Sequence, residues 1–337
     1  MNFREGQYTI RDFRFASGEA LPALRLHYRT LGEARRGATG RVENAVLILH
    51  GTTGSGAQFT RETFAGELFG PGQLLDGDRH FIVLPDGIGH GASSRPSDGA
   101  RMAFPRYGYG DMVRAQHQLL TEGLGLDHLY LVMGTSMGGM HSWLWGQMFP
   151  DFMDCLAPLA SLPVEIAGRN RMMRKMIMDS IQGDPAWKGG DYEAQPPGLI
   201  NAIHLLIMMS SCPLQWQKEA PSRGEADAML AERIKAHAET LDANDMIYQF
   251  AASEDYDPAP GLSKIKAPLL AINSADDQVN PPELGILEAA MPRVERGTYV
   301  LLPIDGRTRG HGTHTLAALW KHHLAAFLAT VKPARGG

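Results

Sequence analysis

Leu-Tyr-Leu-Val-Met-Gly-Thr-Ser-Met-Gly-Gly-Met-His-Ser-Trp-Leu-Trp-Gly-Gln-Met-Phe, residues 129–149, changes its periodicity part-way along. Leu129 to Met133 form an apolar run with the length and the β-branched and aromatic content of a buried strand. The run stops at Gly134-Thr135-Ser136-Met137-Gly138-Gly139, after which Met140, Trp143, Leu144 and Met148 recur at helical spacing. Strand, Gly-x-Ser-x-Gly, helix is the context of a nucleophile elbow, a turn tight enough to hold a serine hydroxyl off the sheet edge. Gly134 and Gly138 are then required because a Cβ at either would collide with the packed strand and helix. The five-residue pattern alone is weak in a chain with 38 glycines. An ordinary glycine turn is the competing reading, and a base and an acid in the right places would separate the two.

Working outward, Ala45-Val46-Leu47-Ile48-Leu49 is a second continuous apolar run, as expected of a strand covered on both faces. It ends in His50-Gly51-Thr52-Thr53-Gly54-Ser55-Gly56, a glycine-rich loop where the second oxyanion donor of an elbow enzyme belongs. No Gly-Lys-Ser/Thr follows, which argues against a phosphate loop. Phe81 to Pro85 is a third run, residues 110–125 read as a helix with Asp111 at its N-cap, and residues 7–30 alternate as a hairpin around Ser17-Gly18-Glu19. Strand and helix alternate from Ala45 to Phe149, which implies parallel crossovers and a doubly wound, mostly parallel α/β sheet.

Beyond Ser161-Leu162-Pro163 the character changes. Residues 163–255 are helical and methionine-rich, with Met172, Met173, Met176, Met178, Met208 and Met209, and contain no convincing buried strand. They read as an inserted helical cap whose methionines fill a helical core, shape a substrate pocket, or do both. The sheet resumes at Pro268–Asn273 and Thr298–Leu302, and a last helix starts near Thr315. The organisation predicted is therefore a core of residues 1–162 and 256–337 with a cap of 163–255. The tail Lys332-Pro333-Ala334-Arg335-Gly336-Gly337 reads as frayed.

A serine hydroxyl is a poor nucleophile at neutral pH and needs an imidazole base oriented by a carboxylate. In elbow folds the order is serine, acid, histidine, each on a loop at the carboxyl end of a strand. The loop after residues 268–273 offers Asp276 and Asp277; Asp277 is the better candidate because Pro281 follows four residues on. The loop after residues 298–302 offers His311 and His314, and His311 is favoured because His314 borders the last helix. The backbone amides of Met137 and Thr52 are the candidate oxyanion donors. Histidines such as His80, His117, His128, His322 and His323 read as surface or core polar residues, and no His/Cys/Asp spacing suggests a metal site.

The bulk numbers fit. At 44% hydrophobic and 20% charged residues the chain is an ordinary globular sequence. A net charge of −5 argues against nucleic acid as a partner. Two cysteines, Cys155 and Cys212, make no disulfide framework. Met1 to Tyr8 lack the apolar core of a signal peptide, and no apolar stretch is long enough to cross a membrane. A cytoplasmic enzyme with a small-molecule substrate, no cofactor and no membrane partner is the expectation.

With these residues located, the chain resembles the homoserine O-acetyltransferase family of α/β-hydrolase-fold enzymes over about residues 8–330. The likeness rests on Ser17-Gly18-Glu19, Leu26-x-Tyr28-Arg29-Thr30, Asp111-Met112-Val113-Arg114-Ala115-Gln116 and Gly134-x-Ser136-Met137-Gly138-Gly139-Met140. Gly189-Gly190-Asp191-Tyr192, Tyr256-Asp257 and Asp277-x-x-x-Pro281-Pro282 add to it. It implies Ser136, Asp277 and His311 as the triad, a helical lid and, often, a homodimer built through lid helices. It also places Arg174 where the family sets an arginine near the substrate carboxylate; an anchor for a lid helix is the other reading of that residue. The chain departs where the family reads Gly-His-Asp, an aspartate that helps hold the substrate's amino group, for Gly312 stands there. Losing a carboxylate partner for a buried ammonium argues against homoserine as acceptor. The function expected is therefore a serine hydrolase of a small ester acting through an acyl-enzyme. The alternative is an O-acyltransferase with acyl-CoA as co-substrate and an alcohol as acceptor.

Overall fold

β1 (Arg4–Arg14) and β2 (Ala20–Leu31) form the hairpin that the alternation predicts, and they open the sheet. The computed structural model describes residues 1–331, so the tail expected to fray lies outside the described residues. β3 (Ala45–Leu49), β4 (Phe81–Pro85), β5 (Leu129–Thr135), β6 (Met153–Leu159), β7 (Leu269–Ser274) and β8 (Gly297–Leu302) complete the sheet. Its eight strands run in the order β1-β2-β4-β3-β5-β6-β7-β8. β2 lies antiparallel to both β1 and β4, and every pairing from β4 to β8 is parallel. The order reverses around β3 and β4, as in a doubly wound α/β sheet, and brings the carboxyl ends of β3, β5, β7 and β8 to one edge.

In chain order the helices are α1 (Ala65–Leu68), α2 (Tyr109–Gln118), α3 (Met137–Met148), α4 (Gly168–Gln182), α5 (Gly198–Met209), α6 (Pro213–Glu219), α7 (Arg223–Ala238), α8 (Ala243–Ala251), α9 (Ile286–Ala290) and α10 (Ala317–Leu328). Helices cover both faces of the sheet. On one face Val132 and Leu156 pack with Trp143 and Trp145 of α3; on the other Ile48 and Met133 pack with Phe64 and with Trp320 of α10. All three tryptophans are fully buried, and truncating any of them to alanine is of the order that costs about 3–5 kcal/mol. Between β6 and β7 the described chain is helical throughout, α4 to α8, with a core of its own around Ile177, Ile203, Met246 and Phe250. Among the described residues no single helix is long and apolar enough to cross a membrane.

Two local expectations need correction. Asp111 is not the N-cap of α2; Gly108 is, and Asp111 is the third helical residue. Its carboxylate accepts the Gly108 amide at 3.1 Å and the Ala16 amide at 2.9 Å, tying the helix start to the hairpin. The helix also ends earlier, at Gln118, and passes into a π turn over Leu119–Gly123. β6 was not expected, because Asp154 and Pro158 break its apolar pattern. The structure keeps both: the buried His128 bonds Asp154 at 2.9 Å, and Pro158 falls where β6 bonds β7 only sparsely.

Candidate active site

Ser136 stands between β5 and α3 at φ 55° and ψ −114°, a conformation that strains any residue but glycine. The surroundings enforce it. A Cβ added at Gly134 would stand 2.1 Å from the Gly138 carbonyl oxygen, and one at Gly138 would stand 1.9 Å from that of Leu49. Only glycines let strand, turn and helix close against the end of β3, as the sequence pattern requires. The Ser136 amide donates to Leu159 O at 2.9 Å, locking the turn to β6, and the residue is 9% exposed.

The partners arrive from far along the chain. His311 Nε2 lies 2.8 Å from Ser136 Oγ, and His311 Nδ1 lies 2.8 Å from Asp277 Oδ2. Asp277 is 0% exposed. Its Oδ1 accepts the Val279 amide at 2.7 Å and the Asn280 amide at 3.1 Å, and Oδ2 also accepts the Asn280 side chain. Burial alone would raise this carboxyl; the imidazole of His311 and the donors around it outweigh that and hold it below the ordinary carboxylate value. Asn280 was not singled out in the sequence, although its place three residues after the acid suits a loop that wraps back on that carboxylate.

The two close alternatives fall elsewhere. Asp276 accepts the Gly310 amide at 2.9 Å and the Ser274 hydroxyl at 2.5 Å, so it braces the histidine loop from behind. His314 follows within the same short helical turn, its ring 5.3 Å from that of His311. Burial, and then the proximity of His311, push its pKa down to about 3, and its Nδ1 is buried without a partner.

The candidate oxyanion residues flank the serine. Met137 is the first residue of α3, where a backbone amide has no acceptor within the helix. The loop after β3 presses on Ser136, with the Cβ position of Gly51 3.4 Å from Ser136 Cβ. His50 holds that loop. Its Nε2 accepts the Gly87 amide at 2.9 Å, which leaves Nδ1 to donate to Gly51 O at 2.8 Å. Burial pushes the His50 pKa down, in keeping with that neutral tautomer. Thr52 comes next, and its hydroxyl is buried without a partner.

Arg174 lies on α4 and is 2% exposed. Its Nε donates to Asn170 Oδ1 at 2.9 Å, one terminal nitrogen donates to Ser253 Oγ at 3.2 Å, and the guanidinium lies over the Phe250 ring at 5.6 Å. No carboxylate pairs with it among the described residues. Nor do the described residues contain a group of three or more His, Cys, Asp or Glu arranged to hold a metal ion.

Residues 44–297 match the family model of the alpha/beta hydrolase fold. Homoserine O-acetyltransferase of Geotalea uraniireducens is 31% identical over 310 residues, which cover 80% of this chain and 81% of the relative. The chain is a homoserine O-acetyltransferase-like α/β-hydrolase. Among solved structures, homoserine O-acetyltransferase from Bacillus anthracis superposes with a TM-score of 0.85 at 20% identity, covering 100% of each chain. An acetylester hydrolase from Corynebacterium glutamicum superposes with a TM-score of 0.84 at 21% identity, covering 97% of this chain and 96% of the other. At such identities these two likenesses speak for the fold alone. The family places the chain among the acyl hydrolases and acyltransferases.

Proposed function

We propose that this enzyme hydrolyses a small ester through an acyl-enzyme on Ser136. The observation that carries the reading is the continuous chain of hydrogen bonds from Ser136 Oγ through both nitrogens of His311 to the buried Asp277. His311 Nε2 takes the hydroxyl proton as Oγ attacks the acyl carbon, and Asp277 stabilises the imidazolium that forms. The Met137 and Thr52 amides face the developing oxyanion; each such donor is typically worth about 3–4 kcal/mol in the transition state. His311 then gives its proton to the leaving alcohol. Water attacks the acyl-enzyme, loses a proton to His311, and Ser136 Oγ takes it back as the acid leaves. Arg174 is assigned the carboxylate of an anionic substrate, because a buried guanidinium with only neutral acceptors is left with its charge unbalanced.

A second reading has its own support in the 31% identity to a homoserine O-acetyltransferase. An alcohol in place of water makes the same site an O-acyltransferase, with acyl-CoA as donor. Gly312, where the resembling family carries an aspartate, weighs against homoserine as that alcohol. Release of p-nitrophenol from p-nitrophenyl acetate, and of CoA from acetyl-CoA with and without homoserine, separates the readings when wild type is compared with Ser136→Ala. The hydrolase reading expects ester turnover that is lost in the variant and no homoserine-dependent CoA release. CoA release that requires homoserine would overturn it in favour of transfer.

A further inference from the structure

Between the end of β8 and His311 the chain runs over the surface, with Pro303, Ile304, Gly306, Arg307 and Arg309 exposed. A segment of that kind holds its last residue to a fraction of an ångström only where other elements grip it. The cap supplies a grip. The turn between α5 and α6 closes on Gly310, the residue before His311. A Cβ at Gly310 would stand 3.1 Å from Ser211 O, 3.4 Å from Cys212 Cβ and 3.2 Å from Asp276 O, so this point of the loop is in contact with both the cap and the acid loop. α6 reaches the remainder with three side chains at the spacing of one helix face. Cys212 Sγ lies 3.8 Å from Thr308 O and 3.5 Å from Asp276 Oδ2, the oxygen that also accepts the Gly310 amide. Gln215 Nε2 donates to Gly306 O at 2.8 Å, and Arg309 donates to Glu219 Oε1 at 3.0 Å. The Arg309–Glu219 pair is exposed enough to contribute little. Cys212 and Gln215 are buried, so the hold falls to them.

We propose that α6 of the cap clamps the loop of the catalytic base, with Gln215 and Cys212 as positioning residues that hold His311 in line. The proposal rests on the acyl-enzyme reading above and gives the cap a duty beyond shaping a substrate pocket. His311 makes two bonds of 2.8 Å at once, one to Ser136 and one to Asp277, and the proton transfer needs both. The other two members are fixed locally. Asp277 is held by the Val279 and Asn280 donors of its own loop, and Ser136 by the sterics of the elbow. The imidazole is the member whose place depends on a second element, and α6 is that element. A shift of about 1 Å at such a group costs on the order of 100-fold in rate, so loss of one buried contact is expected to cost about tenfold.

The test compares two reagents that share the base and little else, p-nitrophenyl acetate as substrate and diethyl p-nitrophenyl phosphate as a label of Ser136. In the labelling step Oγ bonds to phosphorus, its proton passes to His311, and the bond from phosphorus to p-nitrophenolate breaks. Gln215→Leu is expected to lower kcat for the acetate and the labelling rate by the same factor, about tenfold, with KM changed less than about twofold. Cys212→Ala removes a weaker donor and is expected to lower both by about threefold, which keeps the test open if Gln215→Leu fails to fold. Cys212→Ser, which keeps a donor, is expected to stay within about twofold of wild type. Folded variants with wild-type rates overturn the proposal and leave α6 a structural cover. A raised KM with kcat kept also overturns it and makes α6 a wall of the pocket. Absence of Ser136-dependent p-nitrophenol release from the wild type would sink the ester reading and this proposal together, whereas release that both variants leave unchanged sinks the clamp alone.

Discussion

The contact between Gly138 and the end of β3 makes a sharp prediction about Gly138→Ala. The added methyl would stand 1.9 Å from Leu49 O, well inside the 3.0 Å that real Cβ atoms keep. The obstacle is backbone, not a side chain that can swing aside. Relief therefore shifts the end of β3 by roughly 1 Å, and the residues that follow it are His50, Gly51 and Thr52. A misplacement of about that size at a catalytic group costs on the order of 100-fold in rate, or about 2.7 kcal/mol of barrier. The expected result is a kcat for p-nitrophenyl acetate lowered about 100-fold with KM changed far less, because the oxyanion donor acts in the transition state. Gly224→Ala is the control. It sits in α7 with nothing within 4 Å of its Cβ position, so it should be neutral or stabilising by up to about 1 kcal/mol. Both variants are compared by steady-state kinetics and thermal unfolding. A folded Gly138→Ala enzyme with kcat within about twofold of wild type would refute the claim that this contact sets the geometry of the oxyanion loop.

Two further outcomes follow from buried titratable side chains. Arg174→Leu should raise KM at least about tenfold for a carboxylate-bearing ester and leave a neutral acetate ester little changed, as comparison of the two substrates would show; equal effects on both would reduce Arg174 to an anchor of α4. His141, 1% exposed, has its pKa pushed down to about 3 by burial and by the proximity of His50. The unfolded chain takes up this proton below pH 6.5 and the folded one does not until about pH 3, so stability falls as pH falls through that window. At pH 5 the loss from His141 alone is about 2 kcal/mol, and His141→Gln should flatten the slope of denaturant midpoints between pH 7 and pH 5.

Where local sterics dictate the structure, the sequence was transparent. The elbow is one such place, because Gly134, Ser136 and Gly138 answer to contacts within one turn and one neighbouring strand. Strands covered on both faces were visible as unbroken apolar runs; Asp277 was preferred for the Pro281 that follows four residues on, and His311 for its place in the loop ahead of the last helix. β6 was hidden because Asp154 is satisfied by His128, a residue 26 positions earlier, and nothing in the strand itself announces that partner. Asp111 misled for a related reason: its carboxylate serves the Gly108 and Ala16 amides, and side chains that cap from within a helix look like caps at its edge. Asp276 acts on the Gly310 amide 34 residues away, and a cavity beside His314 is lined by five separate segments. Such features belong to the folded chain and have no local signature.

Ser136 and the His311 it bonds are separated by 175 residues, with the whole run of α4 to α8 between them. During synthesis Ser136 therefore leaves the ribosome long before the segment that carries the imidazole exists. At usual elongation rates of about 5–20 residues per second, that interval lasts on the order of ten to thirty seconds. On the acyl-enzyme reading proposed above, Ser136 is throughout it an ordinary alcohol, without the base that would let it take up an acyl group. On that reading reactivity waits for the segment that carries His311, and a product truncated before β8 would be inert.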